Sequence, residues 1–278
     1  MRRSVFVLVA LAAAASLAAV AAARLARESR DLDERIHSVA LRGRVHALVV
    51  LPAGYAGSGK RYPVVYFLHG LPAGSNAYLG SRWVGQALEK AGPAILVMPQ
   101  GAREGDTDPE YLNWGAGREW ETFISSELPR AIDRRFRTIR TRRGRALVGL
   151  SAGGFGAALL GLHNLGRFSV LESWSGYFHP TDPTGTQPLA RGAATNVHTL
   201  VSSLRRDEAR RSTFLGFYVG SADVRFRAGN EQFDRELRAA GVPHLFAVYP
   251  GAHATSLWQE HAVHWFRVAL QKLSPPQA

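Results

Sequence analysis

The chain has 278 residues, 46% of them hydrophobic, a formal net charge of +12 and no cysteine. That length allows one large domain or two small ones, with a sizeable core. The lack of cysteine excludes disulfides and any thiolate-bound metal or cluster.

In chain order, Arg2 and Arg3 precede an apolar run over residues 5–23, interrupted only by Ser16 and ending in Ala21-Ala22-Ala23. A basic start, an apolar stretch and small residues make a secretory signal. The alternative is an uncleaved membrane anchor, since a spanning helix needs about 20 apolar residues. Both readings put the remainder outside the cytoplasm, secreted or in the cell envelope. Residues 24–34 are charged and read as a linker, with one domain following from residue 35 to the C-terminus. Short apolar runs over residues 45–51, 63–68, 94–98, 145–148, 168–171, 214–219 and 244–249 read as strands, and residues 55–61 as a hairpin or loop. Helical spacing is expected over residues 120–136, with Pro129 kinking or dividing that helix, and over residues 232–240 and 256–273. Strands alternating with helices predict an α/β domain whose mostly parallel sheet is covered on both faces.

Positive charge is almost all arginine, since only Lys60, Lys90 and Lys272 are lysines. Its densest cluster is Arg134, Arg135, Arg137, Arg140, Arg142, Arg143 and Arg145. Phe136 is the single aromatic residue inside it, so the cluster reads as a solvated helix-to-strand connection rather than a nucleic-acid face. The excess of positive charge would still draw an exported protein to anionic envelope surfaces.

The chemistry is concentrated at Gly149-Leu150-Ser151-Ala152-Gly153, a G-x-S-x-G sequence between an apolar run and a helical one. On a sharp strand-to-helix turn the serine hydroxyl projects from the sheet toward substrate. Serine needs a base to take its proton and an acid to orient that base, in the chain order serine, carboxylate, histidine. Asp223 follows the run 214–219 by a short loop, and His253 follows the run 244–249 by another. Both positions lie past strand ends, where open α/β sheets bind ligands. His163, His261 and His264 fall within helices, and His69 precedes the serine. The oxyanion of acyl transfer needs two N–H donors. One is the N–H of Ala152; the other comes from His69-Gly70-Leu71-Pro72, where Pro72 has none to give, so Leu71 is favoured with Gly70 as the fallback. No metal or organic cofactor is required by this chemistry.

From about residue 62 to 270 the chain resembles the esterase D-like α/β-hydrolases, the group that also contains the antigen 85 mycolyltransferases. The resemblance rests on Tyr66-Phe67-Leu68-His69-Gly70-Leu71, on Trp120-Glu121-Thr122-Phe123 and the residues up to Pro129, on Val148 to Gly154 around the serine, on Trp174-Ser175-Gly176, and on Pro250-Gly251-Ala252-His253. It implies an α/β-hydrolase fold, Ser151, Asp223 and His253 as a catalytic triad, and Leu71 with Ala152 as the oxyanion hole. The mycolyltransferases carry an acidic residue where this chain has His69, a basic one where it has Pro72, and tend to have Glu where Asp223 stands. The better match is therefore a general esterase acting on acyl esters. The alternative is a cell-envelope acyltransferase that passes the acyl group to a sugar or glycerol hydroxyl, and a third reading is a non-catalytic envelope-binding protein. Asn113 and Trp114, ahead of the 120–136 helix, are expected to line the acyl or alcohol pocket.

Overall fold

A computed structural model describes residues 30–106, 110–181, 193–201, 204 and 212–278. The N-terminal signal or anchor expected over residues 1–23 lies outside the described residues. Among the described residues no helix is long and apolar enough to cross a membrane.

Eight strands form one sheet: β1 Arg30–Ser38, β2 Gly43–Leu51, β3 Val64–Leu68, β4 Ile95–Pro99, β5 Arg145–Leu150, β6 Val170–Trp174, β7 Phe214–Gly220 and β8 Leu245–Tyr249. Their spatial order is β1-β2-β4-β3-β5-β6-β7-β8. The β1–β2 and β2–β4 pairs are antiparallel, and every later pair is parallel. This is the α/β-hydrolase fold: a mostly parallel sheet with helices on both faces. The central strands are buried on both sides and therefore read as unbroken apolar runs. The faces are covered by α1 Trp83–Ala91, by α2 in three successive stretches (Trp120–Thr122, Phe123–Glu127 and Leu128–Arg135), by α3 Ala152–His163, by α4 Arg227–Ala239 and by α5 Thr255–Lys272. α2, α3 and α4 pack on one face around Phe123, Ile132, Phe155, Leu159 and Phe233. α1 and α5 cover the other with Val84, Leu88, Trp258, Trp265 and Phe266.

Four details depart from the sequence reading. The linker expected over residues 24–34 ends early, because β1 begins at Arg30 and pairs with β2 along its full length. Its charged residues hide the strand from a hydrophobicity argument. Their exposure nonetheless alternates, with Asp31, Asp33 and Arg35 outward and Ile36 and Ser38 buried, as an edge strand requires. Residues 55–61, expected as a hairpin or loop, begin with one helical turn, Tyr55–Ser58. Pro129 does not divide α2. The turn before it widens into a π-helix in which the Leu128 N–H reaches back to the Phe123 carbonyl, and the helix continues past the missing proline N–H. β6 begins two residues later and ends three later than expected, and takes in Glu172 and Ser173, both fully buried.

The arginine cluster fastens the ends of the strands opposite the site. Arg142 donates to the carbonyls of Leu165 (2.8 Å) and Phe168 (3.2 Å) and to Thr213 Oγ1 (2.8 Å). Arg145 pairs with Asp133 at 2.6 Å. Arg137 lies over the Tyr55 ring and donates to the Lys60 carbonyl. Arg135 pairs with Glu34 of β1.

Candidate active site

β5 ends at Leu150 and α3 begins at Ala152, so Ser151 occupies the turn between them. Its φ is 53° and its ψ −121°, a conformation that costs a non-glycine residue about 1–3 kcal/mol and persists only where the surroundings impose it. Two glycines impose it. A Cβ on Gly149 would lie 2.1 Å from the Gly153 carbonyl oxygen, and one on Gly153 would lie 2.0 Å from that of Leu68. With neither Cβ present, α3 starts flush against β3 and β5, and the Ser151 N–H is held by the Trp174 carbonyl at 2.9 Å.

The loops after β7 and β8 bring the acid and the base to this serine. The Ser221 N–H donates to the Tyr249 carbonyl (2.7 Å) and the Ala222 N–H to the Gly251 carbonyl (2.8 Å), which ties the loops together. Gly220 permits the approach, since a Cβ there would be 2.4 Å from the Gly251 oxygen. Asp223 Oδ2 then accepts from His253 Nδ1 at 2.7 Å, while Oδ1 accepts the N–H groups of Arg225 and Phe226, each at 3.2 Å. A carboxylate at Nδ1 keeps the proton there and leaves Nε2 as the acceptor. Nε2 lies 2.9 Å from Ser151 Oγ. The Asp223 side chain is fully buried, and the rings of Phe226 and Trp258 each stand edge-on to the imidazole at 5.1 Å. One serine, one imidazole and one carboxylate thus form a continuous hydrogen-bonded line.

Leu71 and Gly70 lie in the loop after β3 that walls the cavity above Ser151. His69 sets the direction of that loop. Its Nδ1–H donates to the Gly70 carbonyl at 2.8 Å, and its own carbonyl accepts the Tyr111 hydroxyl at 2.8 Å. In a trans peptide the Leu71 N–H points opposite to the Gly70 oxygen, so holding that oxygen fixes the N–H as well. Burial pushes the His69 pKa down, so this imidazole stays neutral and serves as a fixed donor. Ala152 opens α3, and its N–H is one of the donors with no partner inside the helix.

The cavity has a volume of about 680 Å³, within the usual range for small-molecule sites. Beside the loop after β3 it is lined by Trp83, Tyr177, Arg225, Phe226, Trp258 and Gln259. None of these six was singled out from the sequence. The available signal was position, since Arg225 and Phe226 come two and three residues after Asp223 and Trp258 five residues after His253. Asn113 and Trp114 are corrected: they are not among the residues lining this cavity. Asn113 exchanges hydrogen bonds with Thr122 (3.1 and 3.2 Å), and Trp114 packs beneath Arg118 in a turn closed by the Trp114 N–H and the Arg118 carbonyl. Both brace the start of α2, which explains their polar and aromatic character without a ligand. Among the described residues no three His, Asp or Glu side chains converge to hold a metal ion.

The profile of the family described as "Putative esterase" matches residues 38–264, most of the chain. The chain belongs to this family, which includes the antigen 85 group. As a "Putative esterase" member it is 30% identical over 242 residues to Esterase Rv1288 of Mycobacterium tuberculosis, an alignment covering 74% of this chain and 51% of that protein. It is 32% identical over 174 residues to the MPT51 antigen of Mycobacterium leprae, covering 51% and 54%. The chain therefore spans about half the length of these curated relatives. Among solved structures, a ferulic acid esterase superposes with a TM-score of 0.75 at 23% identity, covering 89% of this chain and 99% of that one. At that identity the superposition speaks for the fold.

Proposed function

We propose that the chain is an exported serine esterase that cleaves carboxylic acid esters through an acyl-enzyme. The observation that carries this reading is the line Asp223 Oδ2–His253–Ser151 Oγ, with steps of 2.7 and 2.9 Å, opening into the cavity. Ser151 Oγ attacks the ester carbonyl as His253 Nε2 takes its proton, and Asp223 holds the imidazole and stabilises its cation. The N–H groups of Leu71 and Ala152 receive the developing oxyanion. Collapse expels the alcohol, which takes the proton from His253. Water, deprotonated by the same nitrogen, then releases the acid and restores Ser151. Membership of an esterase family supports the reaction class.

The test is Ser151→Ala. Cleavage of short p-nitrophenyl esters should fall by about 10⁴-fold or more with the circular dichroism spectrum unchanged. Retained turnover would sink the reading. The cavity also has room for an alcohol beside the acyl chain, so transfer to a sugar or glycerol hydroxyl is the second outcome of the same intermediate. Partition of a labelled acyl group between water and added alcohols separates the two. Export rests on the basic and apolar residues 1–23, and fractionation of producing cells tests it: protein held in the cytoplasm would refute it.

A further inference from the structure

Among the described residues, the cavity wall holds one permanently charged side chain, Arg225, and no carboxylate lines it. Asp223, its neighbour in the loop, is committed through both oxygens to His253 and to backbone N–H groups. Arg227 has its own partners, Glu231 at 2.8 Å and the Ser221 carbonyl at 2.9 Å. Arg225 is exposed and, among the described residues, has no ion-pair partner. Its backbone is anchored, and its side chain lies against an aromatic ring of the site. Its backbone N–H is bonded to Asp223 Oδ1, and its guanidinium carbon sits 5.0 Å from the centre of the Phe226 ring, which itself touches His253. The reading of Ser151 as nucleophile thus leaves, among the described residues, a cation without an ion-pair partner on the wall of the same cavity.

We propose that Arg225 forms a subsite for an anionic group on the ester, so that the preferred substrates carry a carboxylate on their acyl or alcohol part. The chemistry is complementary. A guanidinium presents paired donors in a plane that matches a carboxylate, and it gives up hydration more readily than an ammonium. The net charge of +12 draws such a substrate toward the protein before contact. This proposal rests on the esterase reading and adds the substrate class to it.

The test compares esters matched in length. On the acyl side, mono-p-nitrophenyl glutarate is set against p-nitrophenyl pentanoate. On the alcohol side, p-carboxyphenyl butyrate is set against p-carbamoylphenyl butyrate. The wild type should favour the anionic member of at least one pair by about tenfold in kcat/KM, mainly through KM, with the preference shrinking as salt rises. The pair that shows it tells which part of the ester carries the charge. Arg225→Gln should bring that ratio to about one, and Arg225→Lys should restore part of it. Equal rates on both members of both pairs, or a ratio that survives in Arg225→Gln, would overturn the proposal. So would an equal loss on charged and neutral esters, which would mean that Arg225 only packs on Phe226. Calorimetric binding of the glutarate and pentanoate esters to Ser151→Ala reads the acyl-side subsite without turnover. Preferred binding of the anion by a protein that cleaves no ester would uphold the subsite while the esterase reading fell.

Discussion

The two ends of the parallel strands are built on different principles. At the amino ends of β3, β5, β6 and β7, arginines close the structure: Arg142, Arg145 and Arg137 satisfy carbonyls and Asp133 across three connections. At the carboxyl ends the charge is sparse and the backbone is forced. Ser151 and Ser175 have φ of 53° and 49°, and Glu110 and Tyr111, whose loop braces His69 and Tyr177, have φ of 43° and 62°. One end uses directional bonds to hold the fold; the other holds strained backbone around an open cavity and the proposed nucleophile. Changes at the first end should therefore move stability, and changes at the second should move rate.

After Ser151→Ala, the largest effect should come from Asp223→Asn. It keeps the shape but removes the charge that holds the imidazole tautomer and stabilises its cation, and kcat should fall by about 10³–10⁴-fold with KM little changed. Steady-state kinetics on a short ester checks this, and a loss below tenfold would remove Asp223 from the line. Next is His69→Phe, which keeps a ring of similar size and deletes the donor to the Gly70 carbonyl. With the Leu71 N–H less well fixed, kcat should drop by about 10–100-fold. A melting temperature close to wild type alongside that drop would separate loop aiming from folding. Arg142→Ala, at the opposite end, should cost about 2 kcal/mol in urea unfolding, because carbonyls at Leu165 and Phe168 lose their donors, with kcat/KM unchanged. A change in rate there would break the division between the two ends.

The smallest effect tests the sheet between them. Glu172 is fully buried under α5, accepts from Trp174 Nε1 at 3.1 Å and has its pKa raised well above the ordinary carboxylate value by burial. A raised folded pKa means that the folded state holds the proton more tightly than the unfolded one. Stability from this group is therefore complete below the unfolded value of about 4.3 and is lost as pH rises toward the folded pKa. Glu172→Gln should melt at a higher temperature than wild type at pH 8, by a few degrees, with the gap closing near pH 4. A gap independent of pH would contradict the burial of an ionisable carboxyl.

Part of this division was legible in the sequence. Apolar runs marked the central strands, because strands buried on both faces carry no polar alternation. The serine, aspartate and histidine could be picked out because each follows such a run, and the strand end is where the fold exposes side chains. Edge and exception were harder to see. β1 carries charge on its outer face, and Glu172 interrupts the apolar run of β6, so hydrophobicity alone missed the first and cut the second short.

What the sequence by itself determined is the order of elements and the three residues that meet, since local propensity and chain order are one-dimensional facts. Only the tertiary structure decided the cavity wall. Trp83, Tyr177, Arg225 and Trp258 follow β3, β6, β7 and β8 and share a wall because these strands, with β5 carrying Ser151 at its end, run in sequence across one sheet. The same packing assigned Asn113 and Trp114 to the start of α2, and gave His69 its task of aiming a peptide rather than moving a proton. Such roles depend on distances between segments far apart in the chain, and no local pattern of residue types encodes those distances.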